Sequence, residues 1–223
     1  DCPRDEIAAN AWKKAGILEN HIYYYGKDDN WWIAGEEGPC GPDTEMFYDT
    51  GKPACGPDCQ PSCDCGKYVE IWNNVFSQYN ATPGLDRKDY PELPSKNIDT
   101  GMGLERMLAI LQEVDTNFDT DIFMPIIHKI EEISGITYNH EPSFKIIADH
   151  IRAITFALAD GANFGNNGRD YVLRRLLRRA VRHGKKLGIE NTFMKDLVPV
   201  VVDIMNFHYP YLNDKMDMIM GKV

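Results

Sequence analysis

Four of the six cysteines fall within eleven residues, as Cys55-x3-Cys59-x3-Cys63-x-Cys65, with Gly56, Pro57, Pro61 and Gly66 to bend the chain. Four thiolates held this closely can wrap a tetrahedral ion, and zinc is the metal such a set favours. Two disulfides are the alternative for a secreted chain. No charged-then-apolar leader opens the sequence, which favours the metal. Cys2 and Cys40 stand apart and read as unligated thiols. A second constellation is Asn97-Ile-Asp-Thr-Gly-Met-Gly-Leu-Glu-Arg106. Its glycines permit close backbone approach by a ligand, and the start of the following helix favours anionic groups. Asp99 stands where a carboxylate can pair with an amine, although a residue in that place also serves as a turn or cap. Arg106, one turn into the helix, can face a phosphate or a flat base. The run lacks the third glycine and the βαβ setting of a dinucleotide site, which disfavours a nucleotide-binding oxidoreductase.

These groups need a scaffold, and 223 residues, 43% of them hydrophobic, suffice for a core. No apolar run approaches the roughly 18 residues of a membrane helix, so no membrane partner is expected. Glu6–Lys14 reads as a short helix. Ile22–Gly26, Glu45–Asp49 and Tyr68–Tyr79 read as strands, the last rich in aromatic and β-branched residues. The region 81–95, with three prolines, reads as a connecting loop. Beyond Asn97 the spacing turns helical, over 102–114, 121–134, 143–159, 170–187 and 191–207, the last interrupted early by Pro199. A boundary is expected near Gly135–Pro142, where Gly, Asn, His and Pro cluster. The fold class is therefore α+β.

Charge divides as sharply as the elements do. The formal net charge of −10 argues at first against nucleic acid. Yet Gly165–Gly188 holds eight basic residues against one acid, a local +7 that leaves −17 for the other 199 residues. Arg174, Arg175, Arg178, Arg179 and Arg182 flank the apolar stripe of an amphipathic helix. Such a helix either tracks phosphates or pairs its arginines with acids elsewhere.

In order along the chain, Asp29-Asn-Trp-Trp32, Gly38-Pro-Cys-Gly-Pro42 with Thr44-Glu45, Glu70-Ile-Trp-Asn-Asn-Val-Phe76 and Asp99-Thr-Gly-Met-Gly-Leu-Glu-Arg106 resemble the alanyl-tRNA synthetase family, within the class II aminoacyl-tRNA synthetases. Ile147-Ala-Asp-His-Ile-Arg-Ala153 and Tyr171-Val-Leu-Arg-Arg175 through Arg178-Arg-Ala-Val-Arg-His-Gly184 match as well. The resemblance implies an antiparallel, partial class II-type sheet in residues 1–140, with a cysteine-rich insertion at 51–66, followed by a helical tRNA-recognition region in 141–223. It implies a ligase that uses ATP with Mg2+ to make alanyl-adenylate, then charges the acceptor stem of alanine tRNA in the cytoplasm. Asp99 would hold the α-ammonium of alanine. Trp32, Asn73, Val75, Gly101 and Gly103 would line the site, and Arg106 would contact ATP. Thr44 and Glu45 would shape the nucleotide side.

On the RNA side, Asn166 matches an asparagine used near the distinguishing wobble pair of the acceptor stem, with the five helix arginines beside it. Gly168-Arg169-Asp170 departs from the family's Gly-Arg-Gly, and an acid there could repel a phosphate. Residues 1–27 contain neither motif 1 nor the motif 2 arginine, and the chain begins at Asp1. It is therefore expected to be a segment of a longer enzyme, with further domains on both sides, inactive by itself. The alternative is a non-catalytic, zinc-containing RNA-binding module.

Overall fold

The computed structural model describes residues 4–223, so Cys2 lies outside the described residues. The chain divides into two compact units, Asp1–Met107 and Leu108–Val223. The first unit opens with α1 (Glu6–Lys14), capped by Asp5, whose carboxylate accepts the Ala8 N–H at 2.9 Å. Four strands follow: β1 (Trp31–Ile33), β2 (Gly38–Asp49), β3 (Tyr68–Ala81) and β4 (Glu92–Met102). They form one antiparallel sheet in the order β1-β2-β3-β4. Together with the helices below, this is the α+β architecture the sequence predicts.

Three features of this unit depart from the sequence expectations. Ile22–Gly26 is not a strand. No ladder reaches it, and its tyrosines are held locally, with Tyr25 N–H on Asn30 Oδ1 at 3.1 Å and Tyr23 stacked on Tyr25. The proline-containing region 81–95 already enters β4 at Glu92. Pro94 is tolerated there because β4 is an edge strand, where a missing N–H need not break a ladder bond. Finally, β4 runs through Asp99, Thr100, Gly101 and Met102, and the next helix, α2 (Leu104–Leu111), starts two residues later than Met102. Asp99 is a strand residue rather than a turn residue.

The ladder between β2 and β3 shifts register between Cys40 and Asp43. Pro42 has no N–H to donate, and at this bulge the Phe76 carbonyl accepts the Trp32 indole N–H at 3.0 Å. Gly41 passes so near that a Cβ on it would lie 2.0 Å from the same oxygen. Gly41→Ala is therefore expected to destabilise the unit by roughly 2 kcal/mol through overpacking. An unchanged denaturant midpoint would refute this.

The second unit contains α3 (Met124–Ser134), α4 (Pro142–Ala159), α5 (Gly168–Lys186), α6 (Met194–Met205) and α7 (Tyr211–Lys222). Phe144, Ile147, Ile151, Ile154 and Leu158 recur at helical spacing along α4 and are fully buried. They join Ile126, Ile127 and Ile130 of α3 and Leu197, Val198 and Val201 of α6 in one core. That shared core explains why the units divide at Met107/Leu108 instead of at Gly135–Pro142: the apolar face of α3 has its partners in the helices that follow it. Gly135, at φ 70°, simply ends α3 in the left-handed conformation. Pro199 does not interrupt α6, which runs through it. No helix among the described residues is long and apolar enough to cross a membrane.

Candidate functional site

Antiparallel pairing sets Asn73 opposite Gly101 and Val75 opposite Asp99, while on the other side Asn73 faces Glu45 and Val75 faces Asp43. Directly paired residues share a face of a sheet, so one face gathers Asp43, Glu45, Asn73, Val75, Asp99 and Gly101. A cavity of about 290 Å³ opens there, lined by Glu70, Asn73, Val75, Asp99, Thr100, Gly101 and Gly103. The space above Gly101 is open, with no atom within 4 Å of where its Cβ would be. Asn73 Nδ2 donates to Glu45 Oε1 at 2.9 Å, which leaves Asn73 Oδ1 buried without a hydrogen-bond partner. A buried acceptor of this kind is costly unless something donates to it. The site thus offers a carboxylate and an unspent amide oxygen beside apolar Val75, a set suited to a small cationic ligand.

Of the residues expected at this site, Asn73, Val75, Asp99, Gly101 and Gly103 line the cavity, whereas Trp32 and Arg106 do not. Trp32 gives its indole N–H to the bulge at Phe76. Arg106 lies over Gly103 and binds Glu70 twice, Nη1 to Oε2 at 3.0 Å and to the backbone oxygen at 3.1 Å. The acids Asp43 and Glu70 were not singled out from the sequence. Only the strand register reveals that Asp43 shares the face of Asn73, and no helical or glycine motif marks it.

These acids crowd one another. Burial, followed by repulsion from Glu70, Asp43 and Asp29, pushes the Glu45 carboxyl from 4.5 up to about 7. Burial likewise raises Asp43, against hydrogen bonds from Asn30 and Asn73 that oppose the rise. The folded state therefore holds a proton on Glu45 that the unfolded chain releases between about pH 4.5 and 7, and stability falls as pH rises through that window. Glu45→Gln, which keeps an acceptor for Asn73, is expected to be more thermostable than the parent at pH 8. The difference should vanish near pH 5. A pH-independent gap between the two melting curves would contradict this origin.

Between β2 and β3 the cysteine loop is tied at its base by Thr50, whose hydroxyl donates to the Lys67 carbonyl at 2.8 Å, and by Lys67 on Asp49 at 2.8 Å. The sulfurs of Cys55, Cys59 and Cys65 all lie within 4.8 Å of one another, with Cys59 and Cys65 3.7 Å apart. Four sulfurs at the usual zinc distance of about 2.3 Å would be separated by about 3.8 Å, so the cluster fits a tetrahedral ion. Cys63 accepts the Gln60 N–H at 3.5 Å. Its sulfur falls outside the set of three. Cys40 is buried in the sheet, away from the loop.

In the helical unit, α5 buries Leu173, Ala180 and Gly184 and exposes Arg174, Arg175, Arg178, Arg179 and Arg182. Among the described residues none of these five forms an ion pair within 4.0 Å, although Arg179, after the His150 hydrogen bond and together with Arg152, helps hold the Asp149 carboxyl below its ordinary value. Arg174 donates to Asn166 Oδ1, and Arg175 lies over the Tyr171 ring at 5.8 Å. Asn166 is exposed, and its amide keeps a second acceptor lone pair beside its two N–H donors.

The model of the family described as tRNA synthetases class II (A) matches residues 2–223. The chain belongs to that family. An alanine–tRNA ligase of Lactococcus lactis subsp. cremoris (strain SK11) is 52% identical over 98% of this chain and 26% of its own length. An alanine–tRNA ligase of Streptococcus pyogenes serotype M28 (strain MGAS6180) is 50% identical over 97% of the chain and 26% of its own length. This class II synthetase chain therefore spans about a quarter of the length of the curated relatives it matches.

Proposed function

We propose that this chain forms part of an alanine–tRNA ligase, contributing the amino-acid subsite and a tRNA-contacting helix. The observation that carries the reading is the meeting of Asp99, the unspent Asn73 oxygen and open Gly101 in one cavity. Asp99 and Asn73 Oδ1 accept hydrogen bonds from the α-ammonium of alanine, and Val75 meets the methyl group. A pocket on this scale cannot strongly reject glycine, because one methyl group offers so little binding difference. Arg106, released from Glu70, contacts ATP. Glu70, once Arg106 has left it, would be an oxygen donor for the Mg2+ that accompanies ATP, an ion that keeps most of its waters in such sites. The chemistry is in-line attack of the alanine carboxylate on the α-phosphorus of ATP with pyrophosphate leaving, followed by transfer of the alanyl group to the tRNA terminal ribose hydroxyl with AMP leaving, and it calls for positioning and charge neutralisation instead of a protein nucleophile. The RNA acceptor stem lies along α5, where Asn166 addresses the wobble pair and Arg174, Arg175, Arg178, Arg179 and Arg182 meet phosphates. The cysteine loop holds zinc as a structural ion. The reaction takes place in the cytoplasm.

The chain is proposed to lack ATP-pyrophosphate exchange by itself, since residues 1–27 offer no arginine of the motif 2 kind for the α-phosphate. Robust alanine-dependent exchange by the purified chain would overturn that. The rival reading is an RNA-binding module without catalysis. Calorimetric titration with an alanyl-sulfamoyl adenosine analogue separates the two. The ligase reading expects binding that Asp99→Ala strongly weakens, alongside salt-sensitive RNA affinity that Asp99→Ala leaves intact. RNA binding without any analogue binding would establish the rival.

A further inference from the structure

Asp170 is the acid whose place in α5 was expected to trouble a phosphate. Its carboxylate instead accepts the backbone N–H of Asn163 at 3.3 Å, and its carbonyl accepts that of Gly165 at 3.2 Å. The loop between α4 and α5 presses on it so closely that a Cβ on Gly165 would come within 2.9 Å of the Asp170 Cβ. From the other side, Lys222 of α7 donates to Asn163 Oδ1 at 2.6 Å, Lys215 reaches the Ala159 carbonyl, and Tyr211 donates to Asp160 at 3.1 Å. The next loop residue is Asn166, fixed in turn by Arg174.

We propose that Asp170 is a positioning residue for RNA recognition: with Lys222 it clamps Asn163, and so sets the height and direction at which Asn166 meets the acceptor stem. The inference rests on the reading of Asn166 given above. An asparagine on an eight-residue connection between helices loses orientational entropy on binding unless the connection is already ordered, and preorganisation of this kind shows directly in affinity and discrimination. The carboxylate of Asp170 is turned to the Asn163 amide, with Arg169 Nε 4.0 Å away, which limits its repulsion of phosphate.

The test uses fluorescence anisotropy of the chain with two acceptor-stem duplexes that differ only in a G·U wobble pair or a G–C pair at one position. Asp170→Ala is expected to lower the preference for the wobble duplex about fivefold to tenfold, while Asp170→Asn, which keeps the acceptor, retains it. Lys222→Ala should act in the same direction as Asp170→Ala, which keeps the proposal open to test if the first variant folds poorly. In the Asn166→Ala background, Asp170→Ala should have no further effect. Undiminished preference in both Asp170→Ala and Lys222→Ala, or additive losses in the double variant, would overturn the proposal. So would tighter binding of both duplexes by Asp170→Asn, the signature of simple charge repulsion. Amide hydrogen exchange at Asn163 provides a readout without RNA: protection should fall in Asp170→Ala and persist in Asp170→Asn. If protection behaves so but Asn166→Ala leaves the preference unchanged, the assignment of Asn166 fails and the clamp stands.

Discussion

Asp99→Ala is expected to weaken binding of the alanyl-sulfamoyl analogue roughly 100-fold, about 3 kcal/mol. The size follows from what the substitution leaves behind. A hydrogen bond to a charged group contributes about 1.5–3 kcal/mol, and an ammonium brought into the cavity without its carboxylate also loses hydration that Asn73 Oδ1 alone cannot replace. The surrounding acids do not rescue it. Glu45 is bonded to Asn73 and holds a proton up to about pH 7, and Glu70 is paired with Arg106. Asp99→Asn separates charge from geometry, because it preserves an oxygen acceptor at the same strand position and should recover only part of the loss. Fold damage is not expected, since Asp99 is an exposed residue of an edge strand. Calorimetry of the two variants beside the parent decides the matter. Equal affinity for all three would remove Asp99 from the amino-acid site.

How far the sequence reveals this arrangement differs from element to element. The buried stripe of α4 and the basic flanks of α5 are legible because helical periodicity records which side faces the core. Strand β3 is legible from its aromatic and β-branched run. Strand β1 is only three residues long, Trp31–Ile33, and its two tryptophans mark no period. The extension of β4 through Gly101 was hidden because glycine signals a turn locally, whereas pairing with Asn73 overrides that preference. The acid cluster is illegible for another reason. Asp43, Glu45, Glu70 and Asp99 come from three strands, and their meeting depends on registers that include bulges at Gly41–Pro42 and after Met46. Helix α7 carries a weak apolar pattern, and its contribution to the Asn163 loop lies in polar contacts that periodicity does not record.

Zinc at the cysteine loop carries the other large effect. Protein purified without chelator is expected to contain close to one equivalent, and a preparation without zinc would sink the assignment. The loop has no apolar core of its own: Cys55 and Cys65 are exposed, and the segment 51–66 contains no helix or strand. Its geometry must therefore come from its base at Thr50–Lys67 and from whatever holds the sulfurs together. Bound zinc would supply that as folding free energy, so treatment with chelator is expected to open the loop to proteolysis while leaving the helical unit intact. Cys55→Ser or Cys59→Ser should weaken zinc by more than the roughly 10–100-fold that loss of an outer-shell partner costs. Cys40→Ser serves as the control and should leave the metal content unchanged. Cys63 decides the ligand count. If Cys63→Ser loses zinc as Cys55→Ser does, the site is closed by four thiolates and structural in kind. If it alone retains zinc, three thiolates hold the ion and the fourth position is open to water, which is the arrangement of a reactive site and not a structural one.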